Sequence, residues 1–265
     1  MKHRIDPKID CVFKAILGTT ANSNLLIHFL NAILKQEFEY PIKSVEILNP
    51  YNDKEFINDK LSIVDVKASD DFGHLYQIEI QLNCFNYLPQ RMIYNWADIY
   101  SNQLTQGEHY STLKPTYSIW LFAENLLQND SHYAHNYQLR DQNGQALNKH
   151  GGIGLLELNK FNVVDVKQND HRWLKFFKEG SQLDDPSLPN WMQTDKMRQA
   201  MNTLSIFSEK EREYDRYQAR QEYLRIQRSN QFMFEQEREA KLKARSTLKQ
   251  AVEEKKATIQ REKNF

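Results

Sequence analysis

Two segments of alternating sequence, residues 61–68 and 75–82, lie on either side of a short turn sequence centred near Phe72. Alternation with a period of two is typical of β-strands, and two strands joined by so short a turn form an antiparallel hairpin. With the turn centred at Phe72, the register of this hairpin places position 65 directly opposite position 79. This pairing constrains the fold more than any other feature, because it fixes which side chains share a face.

The face that contains positions 65 and 79 carries five polar side chains: Asp65, Lys67, Gln77, Glu79 and Gln81. Opposed residues lie roughly 4.5–5.5 Å apart, so the carboxylates of Asp65 and Glu79 repel, and one pKa must rise unless a cation lies between them. A divalent metal ion is the simplest remedy, because Mg²⁺ prefers carboxylate oxygens and completes its shell with water and substrate phosphate. The residues alone also allow a hairpin with one apolar face and one solvated polar face.

Helical and extended patterns alternate along the rest of the chain, which predicts an α/β fold with a mixed central sheet flanked by helices. Helices are predicted within residues 6–36, interrupted at Gly18, and over residues 88–107, 170–179 and 190–207. Further strands are predicted over residues 43–48, 117–122, 132–140 and 153–158.

From about residue 209 onward, Glu, Lys, Arg and Gln dominate, and neither proline nor glycine occurs. This composition predicts a long solvated helix or a partly disordered tail. Residues 195–265 hold 17 Lys and Arg against 12 Asp and Glu, although the whole chain is balanced at 35 of each. We therefore divide the chain into a globular domain, residues 1–190, and a charged helical C-terminal extension, residues 191–265. The extension is expected to serve homo-oligomer assembly or contact with nucleic acid, or to be only a solvated, salt-bridged helix.

The two cysteines, Cys11 and Cys84, are isolated in sequence and do not have the spacing of a metal site. Isolated cysteines in a chain of this length are typical of a reducing compartment. The first residues contain no apolar stretch of the kind found in signal peptides, and no apolar run is long enough to span a membrane. The expectation is a cytoplasmic protein without membrane association.

Several short motifs, in order, resemble a known family. Asp65-Val66-Lys67-Ala68 and Ile78-Glu79-Ile80-Gln81 resemble the D-V-x-A and I-E-I-Q strands of the recombination-promoting nuclease family. This family is a branch of the PD-(D/E)XK nuclease superfamily, and its members also carry the name transposase. Its other motifs are matched by D-x-x-F-K at 10–14, L-I-x-F-L-N at 26–31, R-x-x-Y at 91–94, G-x-x-Y at 107–110, E-L-x-K-F at 157–161 and W-x-x-F at 173–176.

The resemblance implies a restriction-endonuclease-like fold and a DNA endonuclease that hydrolyses phosphodiester bonds, linked to recombination or mobile elements. It implies that Asp65 and Glu79 bind Mg²⁺ or Mn²⁺ and that Gln81 orients water or phosphate. Asp10 is a candidate third metal ligand; the alternative is an acid in the first helical turn that only complements the helix macrodipole. Candidate contacts to substrate phosphate are Lys14, Lys67, Arg91 and Tyr94; for Arg91 the alternative is a structural ion pair with Glu79.

Gln81 departs from the pattern of many superfamily members, which carry lysine at this position. A glutamine can donate a hydrogen bond to water or phosphate but supplies no positive charge. A catalytically inactive DNA-binding or assembly protein that retains the fold is therefore the alternative function. The presence of both Asp65 and Glu79 argues against that alternative. DDE-type transposition is disfavoured, because it needs another fold and three acids in another order.

Overall fold

The computed structural model describes residues 2–49, 64–183 and 187–262, so the first three residues of the predicted strand 61–68 lie outside it. The helices of this part are α1 (Asp10–Leu17), α2 (Ser23–Ile33), α3 (Leu88–Ser101), α4 (Asn169–Glu179), α5 (Asp195–Glu209) and α6 (Glu211–Glu262). The strands are β1 (Val45–Ile47), β2 (Val66–Asp70), β3 (Leu75–Gln81), β4 (Thr116–Phe122), β5 (Ala134–Tyr137) and β6 (Gly151–Glu157).

The strands form one sheet in the order β1-β2-β3-β4-β6-β5. Strands β1, β2 and β3 are antiparallel neighbours, β3, β4 and β6 run parallel, and β5 returns antiparallel along β6. Helix α3 lies in the crossover between the parallel strands β3 and β4, as such connections require. The predicted mixed sheet with flanking helices is confirmed.

The hairpin has the predicted register. Val66 pairs with Ile78 and Lys67 with Gln77, so continuing the ladder by one residue places Asp65 opposite Glu79. The turn is closed by Gly73, whose φ of 79° is accessible to glycine at little cost.

Both faces of β3 are buried, and in this respect the interpretation of a solvated polar face is wrong. Gln77 is 0% exposed and Glu79 is 2% exposed, although both were placed on the polar face. The reason is that β3 lies inside the sheet, between β2 and the parallel strand β4. Strands of parallel sheets are commonly covered on both faces by helices.

Two apolar clusters cover the sheet. Helices α1, α2, α4 and α5 contact one another around aromatic side chains, among them Phe13, Phe29, Trp173 and Phe177. Helix α3 contacts β4 and β6 through a second cluster formed by Leu88, Met92, Trp120, Phe122 and Leu155. The predicted helix over 88–107 is shorter than expected and ends at Ser101.

The C-terminal extension is helical, as predicted, from Glu211 to Glu262. The chain comprises two compact units, residues 1–217 and residues 218–265. Helix α5 buries Met197, Met201 and Leu204 within the first unit, and the domain boundary at residue 190 remains a prediction. Among the described residues, none of the helices has the length and apolarity needed to cross a membrane.

Candidate active site

Asp65 lies immediately before β2, where one group from strand β3 and one from helix α1 hold its carboxylate. The backbone N–H of Ile80 donates a hydrogen bond to Oδ2 at 3.0 Å, and the Nζ atom of Lys14 lies 3.3 Å from Oδ1. The side chain is only 13% exposed. Burial raises the pKa of Asp65, and the Ile80 N–H and the Lys14 charge oppose that rise.

Glu79 lies in the middle of β3, opposite Asp65, and its side chain is 2% exposed. The side-chain amide of Gln77 donates to Oε1 and that of Gln81 to Oε2, both at 3.4 Å. Burial raises the pKa of Glu79, and the charge of Asp65 raises it further, while Arg91 opposes the rise. The predicted repulsion between two neighbouring acids is therefore present.

Two cations from two different helices flank the acids. Lys14 comes from α1, and Arg91 comes from α3 with its Nη2 atom 3.6 Å from Glu79 Oε2. The guanidinium of Arg91 also lies over the ring of Trp120, 5.5 Å from the ring centroid, which favours one orientation of the cation. The Lys14 and Arg91 side chains are 35% and 36% exposed, so both can contact a ligand that approaches from solvent.

Asp10 lies on the first turn of α1, one turn before Lys14. Its charge contributes to the raised pKa of Asp65, which places the two acids within electrostatic range. In the described ranges, no group of three or more His, Cys, Asp and Glu side chains has the geometry to hold a metal ion. The preformed carboxylate pair is thus Asp65 and Glu79, and the role of Asp10 remains a prediction.

The remaining predicted residues lie at different distances from this pair. Gln81, the last residue of β3, contacts Glu79 directly. Lys67 is two residues beyond Asp65 on the same face of β2 and pairs with Gln77. Tyr94 is 46% exposed on α3, and within the described part of the chain no hydrogen bond joins it to either acid. Gln81 is therefore the best placed of the three.

A buried hydrogen-bonded chain behind Glu79 was not predicted from the sequence. The indole N–H of Trp120 donates to Ser118 Oγ at 2.8 Å, and that hydroxyl donates to Gln77 Oε1 at 3.1 Å. Gln77 in turn donates to Glu79, so β4 fixes the orientation of the carboxylate. Ser118 and Trp120 alternate on β4 as Gln77 and Glu79 do on β3, and each pair is in register. This shared alternation was the available signal, but nothing in the sequence showed that β3 and β4 are neighbours.

The donor set fits a hard divalent cation. Carboxylate oxygens are the protein ligands that Mg²⁺ and Mn²⁺ favour. Burial is the main cause that raises the pKa of both Asp65 and Glu79, and a cation between the carboxylates would favour their ionised forms. A metal held by two carboxylates keeps positions open for water and substrate phosphate. Asp65 and Glu79 would hold such an ion.

Comparison with known proteins identifies the family of the chain. A family model described as PD-(D/E)XK nuclease family transposase matches residues 7–231, which include the hairpin and all six strands. No curated protein and no solved structure matches the chain. The family match implies a nuclease- or transposase-related role, with DNA as the binding partner, and PD-(D/E)XK nucleases typically use divalent metal ions. With its mixed sheet and its acidic hairpin, the chain belongs to the PD-(D/E)XK nuclease family transposases.

Proposed function

We propose that the protein is a metal-dependent DNA endonuclease that hydrolyses phosphodiester bonds, with Asp65 and Glu79 as ligands of Mg²⁺ or Mn²⁺. The observation that carries this proposal is the pair itself. The buried carboxylate of Glu79 and the largely buried carboxylate of Asp65, both with raised pKa values, lie opposite each other in the hairpin, and Lys14 and Arg91 flank them. A purely structural hairpin has no need to bury two repelling acids.

When bound, the divalent ion lowers the pKa of the attacking water and neutralises charge that develops on the phosphate. Lys14 and Arg91 then bind the phosphate from two sides; the planar guanidinium suits two parallel hydrogen bonds to its oxygens. The contact of Arg91 with Glu79 is compatible with this role, because one guanidinium carries five N–H donors.

Gln81 positions the water or the phosphate. Its amide already lies 3.4 Å from Glu79, so a small shift directs it to a ligand held by the acids. Because the amide carries no charge, Lys14 and Arg91 supply the positive charge that a lysine provides in E-x-K members. Asp10 is proposed to hold the ion through a water or directly, and Lys67 and Tyr94 to contact phosphates farther along the strand.

Helix α6 is proposed to serve assembly or DNA contact rather than cleavage. Exposed arginines, including Arg212, Arg216 and Arg225, lie along its first half, and cations in such an arrangement bind DNA phosphates in a salt-dependent manner. Some of these charges are already engaged, since Arg225 pairs with Glu222 at 2.7 Å.

The test is cleavage of supercoiled plasmid with Mg²⁺, with Mn²⁺ and with EDTA. Asp65→Asn and Glu79→Gln are expected to abolish metal-dependent nicking while circular dichroism stays unchanged. Asp71→Asn is the matched control, because Asp71 is an exposed acid in the turn of the same hairpin. If wild type binds DNA in a gel-shift assay but does not cleave it with either metal, the inactive DNA-binding alternative replaces the proposal.

A further inference from the structure

A pocket of about 620 Å³ lies among α2, the start of α4 and the start of α5, and it shares no residue with the acidic site. Four cationic side chains and one carboxylate line it: Lys35, Lys167, Arg172, Lys196 and Asp170. Lys167 is neutralised by Asp165 at 2.5 Å. Within the described ranges Lys35, Arg172 and Lys196 form no ion pair with a carboxylate, so the pocket retains a net positive charge.

One N–H donor of Arg172 lacks a hydrogen-bond acceptor among the described residues. Its Nη1 atom donates to Asn169 Oδ1 at 2.7 Å. Its Nε–H is buried and has no hydrogen-bond partner among the described residues. A buried donor without an acceptor is costly. Because this Nε atom has almost no accessible surface, the guanidinium must rotate before an oxyanion in the pocket can accept from it.

His28 adds a second donor of defined tautomer. The indole N–H of Trp173 donates to His28 Nδ1 at 3.0 Å, so the neutral ring carries its hydrogen on Nε2. Burial, together with the charges of Lys196 and Arg172, lowers the pKa of His28 and so favours the neutral ring; all three residues line the same pocket.

The first turn of α4 also borders the pocket, through Asn169 and Asp170. The residue before the helix, Gln168, makes no side-chain capping hydrogen bond. The N–H groups at this helix end therefore add to the positive potential of the pocket, which Asp170 reduces only in part.

We propose that this pocket binds a phosphate group, carried either by a nucleic-acid strand or by a free nucleotide. Phosphate combines the required negative charge with several acceptor oxygens, which can accept from Arg172, from His28 Nε2 and from the ammonium groups of Lys35 and Lys196 together. The proposal does not depend on metal-dependent cleavage at Asp65 and Glu79.

The test is titration calorimetry with inorganic phosphate in EDTA at constant ionic strength, so that the metal site makes no contribution. Lys196→Gln and Arg172→Gln are expected to weaken phosphate binding about tenfold or more, because each removes a charge-assisted hydrogen bond. Lys210→Gln is the control, since Lys210 is an exposed lysine outside the pocket. If Arg172→Gln does not fold, Lys196→Gln and Lys35→Gln carry the test.

Two further titrations identify the source of the phosphate. A nucleoside monophosphate that binds at least as tightly as phosphate, and depends on Lys196, identifies a nucleotide site. A short DNA duplex whose affinity falls in Lys196→Gln but not in Lys210→Gln identifies a site for a strand. No binding at millimolar phosphate, or equal binding by wild type and all variants, would overturn the proposal.

Discussion

The ammonium group of Lys14 lies 3.3 Å from Asp65 Oδ1 and thereby joins helix α1 to the start of β2. The acid is more deeply buried than its partner, at 13% against 35% side-chain exposure. Because burial disfavours the ionised carboxyl, Lys14 favours the charged form of Asp65 that a metal ion requires. The first helix is therefore part of the candidate active site and not only a support for the sheet.

Lys14→Met is expected to lower metal-dependent cleavage about 10²-fold, as loss of one well-placed stabilising group typically does. The change also raises the pKa of Asp65 further, so the acidic limb of the pH–rate profile should move to higher pH. Lys14→Arg should retain part of the activity. Lys43→Met is the control, because Lys43 is exposed and lies outside the site. Equal cleavage by Lys14→Met and the control would remove Lys14 from the site.

A second prediction concerns stability in EDTA. The pKa of Glu79 is raised in the folded protein, so the folded state holds the proton at a pH where the unfolded state has released it. The contribution of Glu79 to stability is then fully present below the unfolded pKa of about 4.3 and is lost as pH rises through the folded pKa. Glu79→Gln should remove this decline.

The measurement is the urea midpoint of the wild type and of Glu79→Gln between pH 5 and pH 9. The difference in free energy of unfolding between the two proteins should change in favour of Glu79→Gln as pH rises. Added Mg²⁺ should stabilise the wild type more at the upper end of this range. A pH-independent difference between the two proteins would contradict the raised pKa.

The part of the site that lies within one hairpin could be predicted from the sequence. Alternation and turn length were sufficient to place Asp65 opposite Glu79, because register within a hairpin is a local property. The contact of Arg91 with Glu79 was foreseen only as an alternative to phosphate binding, and the two roles are compatible. The mixed sheet followed from the order of helical and extended segments.

Other parts of the site depend on contacts between segments far apart in sequence. The neighbour of β3 on its inner side is β4, which begins only after α3, and its register determines that Ser118 reaches Gln77. Hydrophobic periodicity identifies each strand but not its neighbour. For the same reason the sequence did not show that Lys14 pairs with Asp65 or that Gln77 is buried.

A third prediction follows from the buried chain behind Glu79. Ser118→Ala removes both the acceptor of the Trp120 N–H and the donor to Gln77. Two buried polar groups then lack a partner, which should lower the free energy of unfolding by about 1–3 kcal/mol. Because Gln77 no longer fixes the carboxylate of Glu79, the Mg²⁺ concentration needed for half-maximal cleavage should rise.

Ser101→Ala is the control for that variant, because within the described residues the Ser101 hydroxyl makes a single exposed hydrogen bond, to the backbone carbonyl of Asp98. Chemical denaturation measures the loss of stability, and a Mg²⁺ titration of the cleavage rate measures the effect on the site. Lower stability with an unchanged Mg²⁺ dependence would show that Ser118 supports the fold without orienting Glu79.

The last prediction concerns where the C-terminal helix ceases to be needed for folding. The Tyr217 hydroxyl accepts a hydrogen bond from the backbone N–H of Asp6 at 3.0 Å, and the residue is 2% exposed. Tyr214 stacks on His3 with ring centroids 3.9 Å apart. A chain ending after residue 221 keeps these contacts and should retain its fold and its metal-dependent cleavage per active site. A chain ending after residue 208 loses both tyrosines and should be less stable by about 3–5 kcal/mol, the usual cost of deleting a large buried aromatic side chain.

Urea denaturation and plasmid cleavage of the two truncated proteins, measured side by side with the full chain, test this prediction. Loss of cleavage in a folded protein ending at residue 221 would show that the distal helix takes part in catalysis, whereas loss of oligomerisation or of salt-sensitive DNA affinity alone would match the role proposed for it.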